Sequence, residues 1–190
     1  EALSLLTAIA MKTTTIRIGT MVLDGNRRPP ALLAHTTATL DRISHGRLIV
    51  GIGKGVFNDA SYGFTISRPV TRMVEIIQIL KKLWTSDKVT FTGDFFQLQE
   101  CSIAAKPIQD PNPPLWIASF GKRMHRIAVT LADGFITQNM PPELFRKYVC
   151  TAKEHAMTVG KSPKSVASVY GFLPLSLSGV RNEGKKMISP

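Results

Sequence analysis

"TLDRISHGRLIVGIGKG", Thr39 to Gly55, runs through a helix end, a tight turn, a strand and a glycine-rich strand end. Leu40 and Ile43 continue the spacing of Leu32 and Leu33, which marks one face of an amphipathic helix. His45-Gly46 closes that helix, because glycine enters the left-handed conformation of a helix end without a side-chain clash. Leu48 to Ile52 is a short apolar run of strand length. It stops on Gly51, Gly53 and Gly55 at alternate positions, with Lys54 between the last two. A strand that ends this way raises the question of what its end holds.

The same alternation extends in both directions. Residues 2–12 read as the end of a helix, and Thr15–Leu23 as one buried β-branched strand. "DGNRRPP" is a turn with Pro29 or Pro30 at the next helix start. Downstream, Arg68–Trp84 places Val70, Met73, Val74, Ile77, Leu80 and Trp84 on one helical face. "KVTFTGDFFQL" reads as a β-hairpin, and "AAKPIQDPNPP" as a proline-rich connection. "PLWIAS" and "DGFITQ" are short strands, each followed by a helix, and "KSVASVYGFLPLSLS" is a last strand. The domain spans residues 1–178, and 179–190 form a polar tail expected to fray.

Strand and helix alternate about five times through short loops, which means parallel strands joined by crossovers. A doubly wound open sheet and a (β/α)8 barrel both fit; a full barrel needs about 250 residues, so a barrel here is present only in part. In either case ligands sit at the carboxyl ends of the strands, here just after Val22, Gly53, Ser119 and Gln138.

Composition narrows the ligand class. The 190 residues carry 24 Lys+Arg against 13 Asp+Glu, a net charge of +11. The basic residues are scattered and lack an aromatic-interleaved stripe, which argues against nucleic acid. An anionic small ligand, a solvated surface, or half of a molecule whose acidic half lies elsewhere remain as readings. Cys101 and Cys150 have no metal spacing and read as reduced thiols of a cytoplasmic protein. No apolar run approaches the roughly 18 residues of a membrane span, and no signal pattern precedes the first strand. Glu1 reads as the interior of a longer sequence.

At the strand ends, Gly53-Lys54-Gly55 permits close backbone approach to a flat ligand or a phosphate and adds a cation. It is neither a P-loop nor a dinucleotide fingerprint, since Val56 breaks the G-x-G-x-x-G spacing. Tight packing with a solvated lysine is the competing reading. "SFGKRMHR" puts Gly121, Lys122, Arg123 and Arg126 at a helix start, an arrangement able to hold an anion or simply an exposed basic turn. Thr20 and Asp24 either line a pocket or serve as a satisfied hydroxyl and a turn former. His35, His45, His125 and His155 show no metal spacing and read as helix-surface or turn residues. Without a nucleophile set, the hard chemistry falls to a cofactor.

The ordered series Leu-Asp-x-x-Ser-x-Gly-Arg, Gly-x-Gly-x-Gly, Leu-Trp-Thr, Lys-Pro-x-Gln, Pro-Pro-Leu-Trp-Ile and Ala-Asp-Gly, from about residue 2 to 177, resembles the bacterial-luciferase-like superfamily. Its members are flavin monooxygenases and deazaflavin-dependent oxidoreductases, methylenetetrahydromethanopterin reductases among them. The resemblance implies a luciferase-type (β/α)8 TIM barrel, here without the family's first two strands and much of its end. It implies FMN or coenzyme F420 lying across the strand ends, hydride transfer through the ring, a small-molecule substrate and a homo-oligomer, commonly a dimer. The implied cofactor contacts are Met21, Val22, Gly53, Lys54, Gly55, Phe120, Gly121, Lys122 and Arg123. Met21-Val22 matches a position where the family often carries a non-prolyl cis peptide. Lys54 stands where luciferases carry an arginine near the phosphate, and Phe120 where methanopterin reductases tend to carry glutamine. The alternative is a non-catalytic flavin-binding or structural paralogue.

Overall fold

Apolar alternation in the strands and apolar stripes on the helices assemble into half a barrel: a curved parallel sheet with helices on its outer face. The computed structural model describes residues 1–55, 63 and 65–171. In chain order the elements are α1 (Ala2–Lys12), β1 (Ile18–Gly19), β2 (Leu23–Asp24), α2 (Pro30–Ile43), β3 (Leu48–Gly53), α3 (Pro69–Thr85), β4 (Val89–Thr92), β5 (Gln97–Cys101), β6 (Leu115–Ala118), α4 (Lys122–Leu131), β7 (Gly134–Gln138), α5 (Pro142–Thr158) and β8 (Ala167–Gly171). The main sheet runs β1-β3-β6-β7-β8, with β2 also paired to β3, and the pairings are parallel. The end of the last expected strand and the polar tail lie outside the described residues.

Register explains the two faces. Leu23, Ile52, Ile117 and Phe135 lie side by side across β2, β3, β6 and β7 and are buried under the helices. One residue along, Gly51, Trp116 and Gly134 are in register on the inner face. A Cβ on Gly134 would stand 2.7 Å from the Ala167 carbonyl oxygen and 2.9 Å from Trp116 Cδ1, so the two neighbouring strands leave no space for a side chain there. On the outer face, Ile76, Ile77, Ile79, Leu80 and Leu83 of α3 are fully buried. Each such side chain contributes about 1.5–3 kcal/mol on burial.

α3 is buried more widely than its expected stripe, because α2 and α4 flank it and β4 of the hairpin also packs on it. Buried Glu75 accepts the amides of Asp94 (2.9 Å), Phe95 (3.1 Å) and Phe96 (3.1 Å), and Arg68 and Arg72 stack over the Phe95 and Phe96 rings.

The single strand expected over Thr15–Leu23 is instead two short ones, β1 and β2, interrupted at Thr20 to Val22. Thr20 turns its hydroxyl into the ladder: Oγ1 donates to the Gly51 carbonyl (2.7 Å) and accepts the Gly51 amide (3.0 Å). One residue on, the Met21-Val22 peptide bond is cis, and both side chains are exposed toward the strand ends.

Candidate active site at the strand ends

A cavity of about 790 Å³ opens at the carboxyl ends of the parallel strands, within the roughly 300–1,000 Å³ typical of small-molecule and cofactor sites. Met21, Val22, Leu23 and Asp24 line it from β2, Gly53, Lys54 and Gly55 from β3, Ala118 and Phe120 from β6, Met124 from α4, and Ile136 and Gln138 from β7. Glu1, Ala2, Arg27 and Arg28 close one side. Three of the four expected strand ends, at Val22, Gly53 and Gln138, thus meet in one place. At the fourth, Ser119 turns outward while its neighbours Ala118 and Phe120 face the cavity.

The three alternate glycines have three different causes. A Cβ on Gly51 would collide with the Thr20 carbonyl, where the interrupted strand crosses. A Cβ on Gly53 would stand 3.0 Å from Val22 Cγ2 and 3.1 Å from Ala118 Cβ, on the cavity floor. Gly55 has φ +79°, a conformation that disfavours side chains, and its missing Cβ leaves room for the Asp24 carboxylate. A backbone carbonyl therefore excludes a side chain at Gly51, whereas two cavity-lining side chains crowd one at Gly53.

The charges around the cavity are mostly paired. Arg27 Nε stands 2.8 Å from Asp24 Oδ2, and Arg28 Nη2 stands 2.5 Å from Glu1 Oε1. Lys54 Nζ donates only to the Gly55 carbonyl, at 3.3 Å, so among the described residues it is the lining cation without a carboxylate partner. Its backbone carbonyl is held by Asn26 Nδ2 (2.8 Å), which also reaches the Pro69 carbonyl (3.3 Å). Buried Asn26 thereby ties the end of β3 to the start of α3, a role its place in a turn-like sequence did not reveal.

Six of the nine sequence-derived contacts, Met21, Val22, Gly53, Lys54, Gly55 and Phe120, line this cavity. Gly121, Lys122 and Arg123 stand beside it at the start of α4 and are not among the lining residues. Lys122 and Arg123 are exposed, and Arg123 Nη2 lies 3.5 Å from Thr71 Oγ1. Asp24 does both things considered for it: it lines the cavity, and Oδ1 caps a 3-10 turn by accepting the Asn26 amide (3.1 Å). Thr20 is the satisfied hydroxyl.

His125 corrects the surface reading of the histidines, for it is only 4% exposed. Nε2 lies 3.0 Å from the Tyr148 carbonyl, which can only accept, so Nε2 carries the proton and Nδ1 accepts the Ser119 hydroxyl at 3.1 Å. The ring packs edge-on against Phe135 and Tyr148. The signal lay in the helix itself, since Met124, His125, Ala128 and Val129 form the buried stripe of α4.

Burial pushes the His125 pKa below its ordinary value of 6.5, and His155 adds to this, against the Tyr148 carbonyl bond that favours the proton. Between the folded and unfolded pKa values the unfolded chain binds more protons, so stability rises with pH through that window. Chemical unfolding should therefore show stability level above about pH 6.5 and falling below it, and His125→Asn should flatten that acid limb. An unchanged limb in the variant would assign the slope to other groups.

Among the described residues there is no group of His, Cys, Asp and Glu able to hold a metal, and no helix long and apolar enough to cross a membrane. Cys101 and Cys150 are free.

The family model for luciferase-like monooxygenases matches residues 1–178. The chain belongs to this family. It is 34% identical to an F420-dependent glucose-6-phosphate dehydrogenase of Amycolatopsis mediterranei, over 98% of this chain and 57% of that protein. It is 32% identical to a 5,10-methylenetetrahydromethanopterin reductase of Archaeoglobus fulgidus, over 75% of this chain and 42% of that protein. Among solved structures, an F420-dependent secondary alcohol dehydrogenase in complex with an F420-acetone adduct superposes with a TM-score of 0.80 at 29% identity, covering 90% of this chain and 53% of that one. The coenzyme F420-dependent tetrahydromethanopterin reductase of Methanopyrus kandleri shares the fold, with a TM-score of 0.81 at 23% identity over 92% of this chain and 54% of that one. The chain spans about half the length of the curated relatives it matches. Its curled sheet is part of the luciferase-type barrel.

Proposed function

We propose that this chain forms the cofactor-holding part of a flavin- or F420-dependent oxidoreductase. The observation that carries the reading is the Gly53 floor. A Cβ there would press on Val22 and Ala118 at the surface that Gly53 gives to the cavity, and Lys54 is the next lining residue. Apolar walls from Met21, Val22, Phe120 and Ile136 suit a planar ring, and the volume suits one such group. Several relatives are F420-dependent by name, and FMN is the alternative within the same reading.

The residues present divide the work. Gly53 lets the ring approach the backbone. Lys54 offers a positive charge to a phosphate. The first amides of α4 after Gly121 have no acceptor within the helix and face the same way as the macrodipole's positive end, beside Lys122 and Arg123. A bound flavin or deazaflavin supplies hydride transfer, and the chain contributes orientation and exclusion of water. A small-molecule substrate, a homo-oligomer and a cytoplasmic location belong to the same reading.

Equilibrium titration with FMN, and separately with coenzyme F420, followed by fluorescence on protein of verified intact mass, tests it. Saturable binding of one is expected, and binding of neither by the folded chain rejects the reading. Lys54→Ala should weaken binding roughly fivefold, with a larger effect at low salt. Unchanged affinity would remove Lys54 from the site. Binding without turnover of any reduced or oxidised form would favour the non-catalytic paralogue.

A further inference from the structure

Phe120 lines the cavity from the loop between β6 and α4, past the last ladder pair of β6. It sits between Ser119 and Gly121, and both neighbours are tied to α5 through one residue. The Tyr148 hydroxyl accepts the Gly121 amide at 3.2 Å. The Tyr148 carbonyl accepts His125 Nε2 at 3.0 Å, and His125 in turn takes the Ser119 hydroxyl at 3.1 Å. The Tyr148 ring stacks edge-on against the His125 ring, with centroids 4.7 Å apart.

The loop needs such a tie. Gly121 has φ +88° and ψ 157°, a region essentially confined to glycine, and it begins α4 without a side-chain cap. Beyond Ser119 the sheet no longer holds the chain: its amide donates to the Ile136 carbonyl (2.8 Å), and no ladder bond follows among the described residues. α4 is seated by its buried stripe and by the His125 amide on the Gly121 carbonyl (3.1 Å), and the phenol oxygen adds a bond on the other side of the same residue, at the Gly121 amide. The Gly121 amide is thereby already satisfied, so a ligand phosphate would find its donors from Lys122 onward.

We propose that Tyr148, outside the cavity, is a positioning residue. Its hydroxyl sets the Phe120-Gly121 loop and so the wall and anion-binding end of the cofactor site. The loop contact stands on geometry alone, whereas its consequence for the cofactor rests on the function proposed above.

Tyr148→Phe separates this from a purely structural role, because it keeps the ring packed on His125 and removes only the hydroxyl. Amide exchange at Gly121, followed by NMR on the ligand-free chain, should quicken by roughly three- to tenfold, the factor expected for one neutral hydrogen bond. The dissociation constant for whichever of FMN or F420 binds the wild type should rise by a similar factor. The thermal midpoint should move by less than about 3 °C. Unchanged exchange at Gly121 overturns the proposal, as does quicker exchange with unchanged cofactor affinity. If the wild type binds neither ring while the variant's Gly121 exchange quickens, the positioning role stands and the cofactor reading falls. Should Tyr148→Phe fail to fold, the wild type alone decides: its Gly121 amide should exchange roughly three- to tenfold more slowly than an open peptide amide, and exchange at the open-peptide rate overturns the proposal.

Discussion

Arg47→Ala should destabilise the chain by about 3–5 kcal/mol, a large share of the roughly 5–15 kcal/mol that holds a typical domain. Arg47 is buried, and its guanidinium bonds the Ser44 carbonyl (2.6 Å), the Thr13 hydroxyl (2.9 Å) and the carbonyls of Ile16 (2.8 Å), Ala10 (2.9 Å) and Thr13 (2.8 Å). Ala10 and Thr13 lie at the end of α1, where helix carbonyls lack internal partners and a cation is favoured. One side chain thus fastens α1 and the entry to β1 onto the turn before β3. Alanine leaves these acceptors buried without donors. Arg47→Lys should recover less than half of the loss, because an ammonium cannot reproduce the planar fork. Urea unfolding of the three proteins provides the comparison, and a loss below about 1 kcal/mol for alanine would show that water replaces the guanidinium at little cost.

Asp41→Ala is expected to cost about 3 kcal/mol and to act at a different place. Asp41 is fully buried near the end of α2. Oδ2 accepts the amides of Ile108 (2.9 Å) and Gln109 (3.1 Å), and Oδ1 accepts Gln109 Nε2 (2.6 Å), which also donates to the Leu48 carbonyl (2.8 Å). The carboxylate is the anchor on which the proline-rich connection before β6 is pinned to α2 and β3. Its loss leaves the Ile108 and Gln109 amides without their acceptor, and the segment around residues 104–114 should become the first site of limited proteolysis. Cleavage no faster than in the wild type, with stability lost all the same, would place the damage elsewhere. Asp41→Asn keeps one acceptor and should fall between the two.

Both residues come from Leu-Asp-x-x-Ser-x-Gly-Arg, one of the motifs that made the family legible. The other motifs divide the same way. Trp84 of Leu-Trp-Thr donates its indole N–H to the Ala34 carbonyl (3.1 Å), joining α3 to α2. Lys106 of Lys-Pro-x-Gln bonds the carbonyls of Leu83 and Ser86 and closes the end of α3. Asp133 of Ala-Asp-Gly accepts the Leu115 amide (2.9 Å) at the start of β6. These polar groups are locks between elements, and only Gly-x-Gly-x-Gly reaches the cavity. A motif's residue types therefore announce the fold more directly than they announce the site.

Periodicity alone placed the helices and the alternation of strand and helix along the chain, because an apolar stripe must be buried somewhere whatever covers it. It also placed the cavity, since parallel strands with crossovers leave their carboxyl ends open on one side, and Val22, Gly53 and Gln138 meet there. Three things needed the tertiary structure. The break in the strand after Gly19 depends on Thr20 finding the Gly51 peptide, a partner 31 positions away. The difference between Gly51 and Gly53 depends on which neighbour crosses each, and that is invisible in their spacing. The tie from Tyr148 to Gly121 joins the middle of α5 to the start of α4 across 27 positions, and no local pattern encodes it. Local physics fixes what each segment must bury, whereas only the folded chain decides which distant polar group satisfies which.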